Sequence, residues 1–171
     1  GKATCSAERF AGVAKGWHID GCANEFIPGT TDHYGTVHNF SMLIGCLLSD
    51  VPEKMSGELC CYPGSHTALA EYFSQGKNLK TLKQKGNKVL PTDKTQQLFT
   101  RPIFHGTGTA GTLFVANYLT AHFIAPNTAP FIRYAVYFRV SSPRHRAGQD
   151  KQGMRSASML DPWCDWEGLS E

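Results

Sequence analysis

Apolar residues fall along this chain in short runs of strand length: Val37 to Leu48, Gly57 to Tyr62, Gly111 to Tyr118, Ala121 to Ala125 and Phe131 to Val140. Each run is rich in aliphatic and aromatic side chains and is bounded by Gly, Pro, Asn or Asp, so each predicts a β-strand. One segment departs from that pattern. From Thr67 to Ser74, Leu69, Tyr72 and Phe73 recur at helical spacing and Gly76 stands just past the end, which predicts a single short helix. Strands that do not alternate with long helices disfavour a doubly wound parallel sheet and favour a mainly β sandwich or barrel. No internal repeat is present.

Polar character takes over from Lys77 to Lys94, which holds six lysines together with Gly86 and Pro91. The spacing predicts an exposed insertion or lid, with a solvated loop as the plainer reading. Beyond Val140 the chain is polar and basic through Arg155, then ends with Trp163 and Trp166 close together. Two large aromatics there predict that the tail, 141–171, docks back on the body, whose core spans about 15–140.

Composition narrows the picture only a little. At 171 residues the chain is the size of one domain, and 41% hydrophobic with 18% charged residues is an ordinary folding balance. A net charge of +3 creates too weak a field to point to nucleic acid. No apolar run approaches the roughly 18 residues of a membrane span, and the N-terminus lacks the apolar core of a signal peptide. The expectation is an intracellular protein, in the cytoplasm or another compartment. The six cysteines are scattered without a C-x-x-C pair, which predicts reduced thiols, with Cys46, Cys60 and Cys61 acting as small buried hydrophobes.

Candidate chemistry begins at Trp17-His18-Ile19-Asp20. In a strand, residues two apart point to the same face, so His18 and Asp20 can grip one ion together. Such a tripeptide is weak evidence alone. His122 strengthens it, because two imidazoles and one carboxylate form a facial triad that leaves positions open on a non-haem iron. Arg133 lies in an aromatic and aliphatic run, where burying a guanidinium is costly unless an anion meets it. Strand alternation puts Arg133, Ala135, Tyr137 and Arg139 on one face and the apolar Tyr134, Val136, Phe138 and Val140 on the other. The anion could be a bound carboxylate or a protein side chain. His33 and His38 compete with His18, which is preferred for its same-face carboxylate. Trp17, His38, His66 and Asn127 are candidates for the pocket wall or for contacts behind the ligands, and Asn127 also for holding the backbone after His122. His105 reads as a loop residue. Gly64-Ser65-His66 lacks the second glycine of a nucleophile elbow, and Gly106-Thr107-Gly108 lacks a dinucleotide fingerprint.

The sequence resembles the phytanoyl-CoA dioxygenase family of Fe(II)/2-oxoglutarate-dependent oxygenases. Four matches occur in the family's order: His18-x-Asp20; an apolar strand ending at Asp50, followed by Gly57-Glu58-Leu59 and Pro63-Gly64-Ser65-His66; Gly111-Thr112-Leu113-Phe114 leading to His122 and Asn127; and Arg133. They cover roughly residues 15–140. The resemblance implies a double-stranded β-helix, a cupin-like jelly-roll barrel, with His18, Asp20 and His122 holding Fe(II) and Arg133 holding 2-oxoglutarate. It implies hydroxylation of an unactivated C–H bond in a small molecule, with release of succinate and carbon dioxide and with ascorbate as a reductant in vitro. No side chain beyond the metal ligands is nominated as catalytic.

Two departures bear on that resemblance. Seventeen residues precede His18, fewer than family members usually carry, which suits a truncated or minimal member. Gly111-Thr112 stands where the family often has Gly-Asp. Asp20 is retained where related halogenases carry a small residue, which favours hydroxylation. The lysine-rich segment favours an anionic substrate. Two alternatives stay open: a non-catalytic jelly-roll binding module, and a cupin-like metal enzyme that does not use 2-oxoglutarate.

Overall fold

The structure is a computed structural model, and it describes residues 16–20, 40–75, 77–85, 89–142, 160–164 and 166. In chain order the elements are β1 (Met42–Leu47), β2 (Leu59–Cys61), α1 (Ser65–Ser74), α2 (Asn78–Lys85), α3 (Thr95–Leu98), β3 (Phe104–Gly106), β4 (Leu113–Asn117), β5 (His122–Ile124) and β6 (Ala135–Val140). The protein is mainly β. Its strands form two three-stranded sheets, β4-β1-β6 and β3-β2-β5, and every hydrogen-bonded neighbour is antiparallel. No closed barrel is formed among the described residues.

Two of the contacts between the sheets and their surroundings bear on the site. Phe114 on β4 packs edge-on against Phe104 on β3, with ring centroids 6.1 Å apart. A Cβ at Gly106 would stand 3.2 Å from the Phe114 ring and 2.9 Å from the Leu59 carbonyl, so this approach admits only glycine. In the other, Arg139 on β6 reaches Asp20, beside β5.

Alternation along β2 and β5 decides what lies on each side of their sheet. Cys60 pairs with His105 and Phe123, while Cys61 pairs with Phe104 and His122, so these two sets occupy opposite faces. The face with Cys60 and Phe123 joins the main core, which includes Leu69 and Phe73 of α1, Leu82 of α2 and Phe99. Tyr62 links them, its ring 4.9 Å from Phe99 and 5.9 Å from Phe123. The face with Cys61 and His122 looks toward β4-β1-β6.

Three elements differ from the sequence expectation. The lysine-rich segment is helical over Asn78–Lys85, and Leu82 and Leu90 are buried, so its described part packs into the core rather than standing clear as an insertion or lid. Leu79 and Leu82 sit one turn apart and give the helix an inward edge that the lysine count obscured. A strand, β3, runs through His105, where a loop was expected; its three residues are too few to show alternation. The run expected from Phe131 becomes a strand only at Ala135. Val37 lies outside the described residues, as do His33, His38, Gly76, Cys5 and Cys22. Cys46, Cys60 and Cys61 are free thiols, and Cys60 is fully buried.

The expected apolar face of β6 exists, but it is not covered by the other sheet. Cross-strand register places Val115, Ile44 and Phe138 in one row and Leu113, Cys46 and Val136 in the next. Val115 is 60% exposed, Leu113 64% and Phe138 54%, so the outer face of β4-β1-β6 is an apolar surface in contact with solvent. Val115→Lys is therefore expected to change unfolding free energy by no more than about 0.5 kcal/mol while reducing self-association in light scattering; a larger loss in denaturant titration would show that this face is packed.

Candidate metal centre

Trp17 to Asp20 is too short to be a strand of its own, yet it pairs as one. His18 N–H donates to the His122 carbonyl and His122 N–H donates to the His18 carbonyl, both at 3.0 Å. A reciprocal antiparallel pair puts both side chains on the same face, Cα to Cα about 5.5 Å apart. Asp20, two residues on, joins them. Trp17 and Ile19 point the other way and are buried at 3% and 1% exposure. Trp17 is thus a core residue, not a pocket wall: its indole N–H donates to Thr95 Oγ1 at 2.7 Å, and its ring meets Phe99 edge-on at 5.2 Å.

The three side chains converge on one point. Asp20 Oδ1 lies 3.5 Å from His18 Nε2 and 3.6 Å from His122 Nε2, and the three ligand atoms fall within 4.8 Å of one another. His122 Nδ1–H donates to the Thr120 carbonyl at 2.8 Å, which leaves Nε2 as the nitrogen that faces Asp20. A proton or a cation between Nε2 and Oδ1 joins the two groups. Two imidazole nitrogens and a carboxylate oxygen on one side of an ion form a donor set that fits a metal ion.

Asp20 divides its two oxygens. Oδ1 faces the imidazoles, and Oδ2 accepts hydrogen bonds from Arg139 Nη2 at 3.1 Å and Nε at 3.2 Å. Burial alone pushes the Asp20 carboxyl up, but hydrogen bonds from His122 and His18, with the charges of His122 and Arg139, hold it well below the usual carboxylate range. It is ionised at any ordinary pH. Arg139 also stands 5.8 Å from the Phe40 ring centre. Sequence reasoning set Arg139 on the same face as Arg133 without giving it a role; its partner Asp20 is far away in sequence, and no local spacing reveals the pair.

Arg133 precedes β6. Its Nη1 donates to the Tyr137 hydroxyl at 3.2 Å, and among the described residues no carboxylate pairs with it. Gly57, at φ +77°, makes room: a Cβ there would stand 3.4 Å from Arg133 Nε and 3.2 Å from Asn127 Cβ. Asn127 holds the connection between β5 and Arg133, its Nδ2 donating to the Phe131 carbonyl at 2.9 Å and its Oδ1 accepting from Ala129 N–H at 3.0 Å. It is an exposed turn organiser and touches none of the three ligands.

The Pro63-Gly64-Ser65-His66 turn acts through its serine. Ser65 is fully buried, and its Oγ accepts the Ala121 N–H at 2.9 Å, tying the start of α1 to the residue before His122. His66, one residue on, is half-buried against Trp163, with ring centroids 4.8 Å apart. It is not among the converging ligands. The C-terminal segment is held here by Asn117 Nδ2 donating to the Pro162 carbonyl at 2.7 Å and by Trp166 Nε1 donating to the Ser41 carbonyl at 3.3 Å.

A second cluster lies on the opposite face of β3-β2-β5 from His122. His105 Nδ1–H donates to Glu58 Oε1 at 2.8 Å, and Cys60 Sγ lies 3.5 Å from that nitrogen. Glu58 also accepts the N–H groups of Met55 at 3.2 Å and Ser56 at 3.1 Å, and so organises a turn in which Met55 is held at φ +70°. Burial pushes the Glu58 carboxyl up, but His105 and the backbone donors outweigh it and hold it low; burial and Glu58 push the Cys60 thiol up to about 12. Cys60 and Glu58 meet the same ring nitrogen, so the group is not a nucleophile–base–orienter relay, which needs one partner on each nitrogen. No local spacing announces this group, because β3 was not expected.

No protein-family model matches the chain, and no match was found among curated proteins.

Two outcomes follow. Mn(II) as an oxygen-insensitive substitute for Fe(II), at a hundred times its dissociation constant, is expected to stabilise the protein by about 2.7 kcal/mol in thermal unfolding, and His122→Ala or Asp20→Ala removes that gain. For Glu58 the folded carboxyl is depressed, so its stabilisation is full above the unfolded carboxyl's value and is lost as pH falls through the lower folded value. Glu58→Gln is expected to cost about 1–3 kcal/mol at neutral pH and to flatten the acid limb of the stability curve, measured by denaturant titration at several pH values.

Proposed function

We propose that the chain is an Fe(II)/2-oxoglutarate-dependent oxygenase of the phytanoyl-CoA dioxygenase type, hydroxylating a C–H bond of a small molecule. The observation that carries this reading is the convergence of His18, Asp20 and His122, from distant parts of the chain, in a two-imidazole, one-carboxylate geometry. Sheet connectivity supports it. Among β1 to β6 the chain stays within one sheet only between β2 and β3, and otherwise crosses from sheet to sheet at each step. Antiparallel strands shared out between two sheets in this way are compatible with a jelly roll of the double-stranded β-helix kind, the fold that this reading implies.

Fe(II) held there would supply dioxygen activation and a chelation site for the keto acid end of 2-oxoglutarate. The chain's own contribution is positional and electrostatic. Thr120 holds His122 through Nδ1, so Nε2 is the nitrogen that faces Asp20. Arg139 anchors Asp20 through Oδ2, which leaves Oδ1 to bind in one orientation. The reciprocal backbone pair between residues 18 and 122 sets the angle between the two imidazoles. Arg133 offers two parallel N–H donors to the distal carboxylate of the co-substrate, with Tyr137 holding one edge of the guanidinium.

The reading is tested by succinate formation from 2-oxoglutarate under air with added Fe(II) and ascorbate. Wild type is expected to produce succinate even without a prime substrate, His122→Ala none, and Arg133→Ala at least tenfold less at subsaturating 2-oxoglutarate. No succinate and no stabilisation by 2-oxoglutarate would favour a non-catalytic module. Equal oxygen consumption by wild type and Arg133→Ala, without succinate, would favour a metal enzyme of another class.

A further inference from the structure

Between the edge strands β3 and β4 lies an open cavity of about 510 Å3. That is a drug-sized pocket, with room for roughly a dozen or more non-hydrogen atoms. Its walls include Cys61, Phe104 and Phe114 from the two sheets, His66 from α1, and Trp163 from the C-terminal segment. Two aromatic pairs, Phe104 with Phe114 and His66 with Trp163, present ring faces and edges to it.

Among the described residues, no lysine, arginine, aspartate or glutamate lines this space. Among the described wall residues, His66 is the imidazole that could gain charge, and burial first, then the nearby Arg101 charge, push its pKa down and disfavour the charged form. Asn117 is already committed to the Pro162 carbonyl and the Leu119 N–H. A ligand therefore finds mostly apolar and aromatic surface, with the one nearby guanidinium among the described residues, Arg101, standing beside Gly64 and His66 rather than in the wall.

The cavity also abuts the metal ligands. Cys61 is the cross-strand partner of His122, and Thr120, whose carbonyl holds His122 Nδ1, is a wall residue. Directly opposed residues in such a pair have Cβ atoms about 4.5–5.5 Å apart. A group lying against Cys61 is thus one residue from the ligand histidine.

We infer that this cavity binds an uncharged, planar apolar group, seated between the Phe104–Phe114 and His66–Trp163 pairs. Its role as the substrate site rests on the oxygenase reading; its capacity to bind does not. An uncharged ligand differs from the anionic substrate expected from the lysines, and no described residue of their segment is in these walls. It also assigns the C-terminal segment a part in recognition, through Trp163.

The test is a titration of the metal-free full chain, 15N-labelled, with indole and in parallel with indole-2-carboxylate, followed by amide NMR shifts. Indole is expected to give saturable shifts at Cys61, Phe114 and Ala116 and to bind more tightly than the carboxylate. Trp163→Ala is expected to weaken indole about two- to tenfold, the value of one aromatic contact. Ala116→Phe, which fills the cavity, is expected to abolish the shifts. Should Ala116→Phe fail to fold, Trp163→Ala decides, because that side chain lies outside the main core. The inference is overturned by an absence of saturable shifts, by shifts confined to Ile44, Val136 and Phe138 on the outer sheet face, or by tighter binding of the carboxylate. Because this readout involves neither iron nor succinate, indole bound in the cavity of a protein that makes no succinate would sink the oxygenase reading alone.

Discussion

Two backbone hydrogen bonds, exchanged between His18 and His122, hold the site together. They join a short segment near the start of the chain to β5, and they decide which side chains can meet. A slip of one residue in this pairing would turn Trp17 and Ile19 toward the site and bury His18 and Asp20 in the core. Register here is protected by burial: Trp17 and Ile19 have their places against Thr95, Phe99 and the helices, and neither fits the polar side. The apolar residues of the tetrapeptide thus align the polar ones.

Around that pair the protein arranges three fixed supports. Thr120 orients His122 from behind, Arg139 holds the far oxygen of Asp20, and Ser65 pins the backbone at Ala121. Each comes from a different element, so the geometry belongs to the assembled fold and to no single motif. Strand alternation then separates the site from the Glu58–Cys60–His105 group, which stabilises a strained turn on the other side of the same sheet. Two clusters of metal-ligating residue types lie on opposite faces of three short strands, and their hydrogen bonds give them different work.

Much of the strand layout could be read from the sequence, because aliphatic and aromatic runs such as Met42 to Leu47 and Leu113 to Asn117 are long enough to declare themselves. The same-face relation of His18 and Asp20 was legible too, from a period of two. What could not be read was anything that depends on pairing across long separations. Arg139 with Asp20, Ser65 with Ala121, and His105 with Glu58 carry no local signature. The helix at Asn78–Lys85 was hidden by its lysines, since two inward leucines sufficed to bury one edge. Trp17 was misassigned for the opposite reason: nearness in sequence to a ligand says nothing about which way an alternating chain points.

The most direct measurement is an anomalous-scattering map at the iron edge, from crystals grown anaerobically with Fe(II) and 2-oxoglutarate. The account predicts one iron peak bonded to His18 Nε2, Asp20 Oδ1 and His122 Nε2, with the distal carboxylate of the co-substrate on Arg133. A peak at Glu58, Cys60 and His105 instead, or none at the triad, would contradict it.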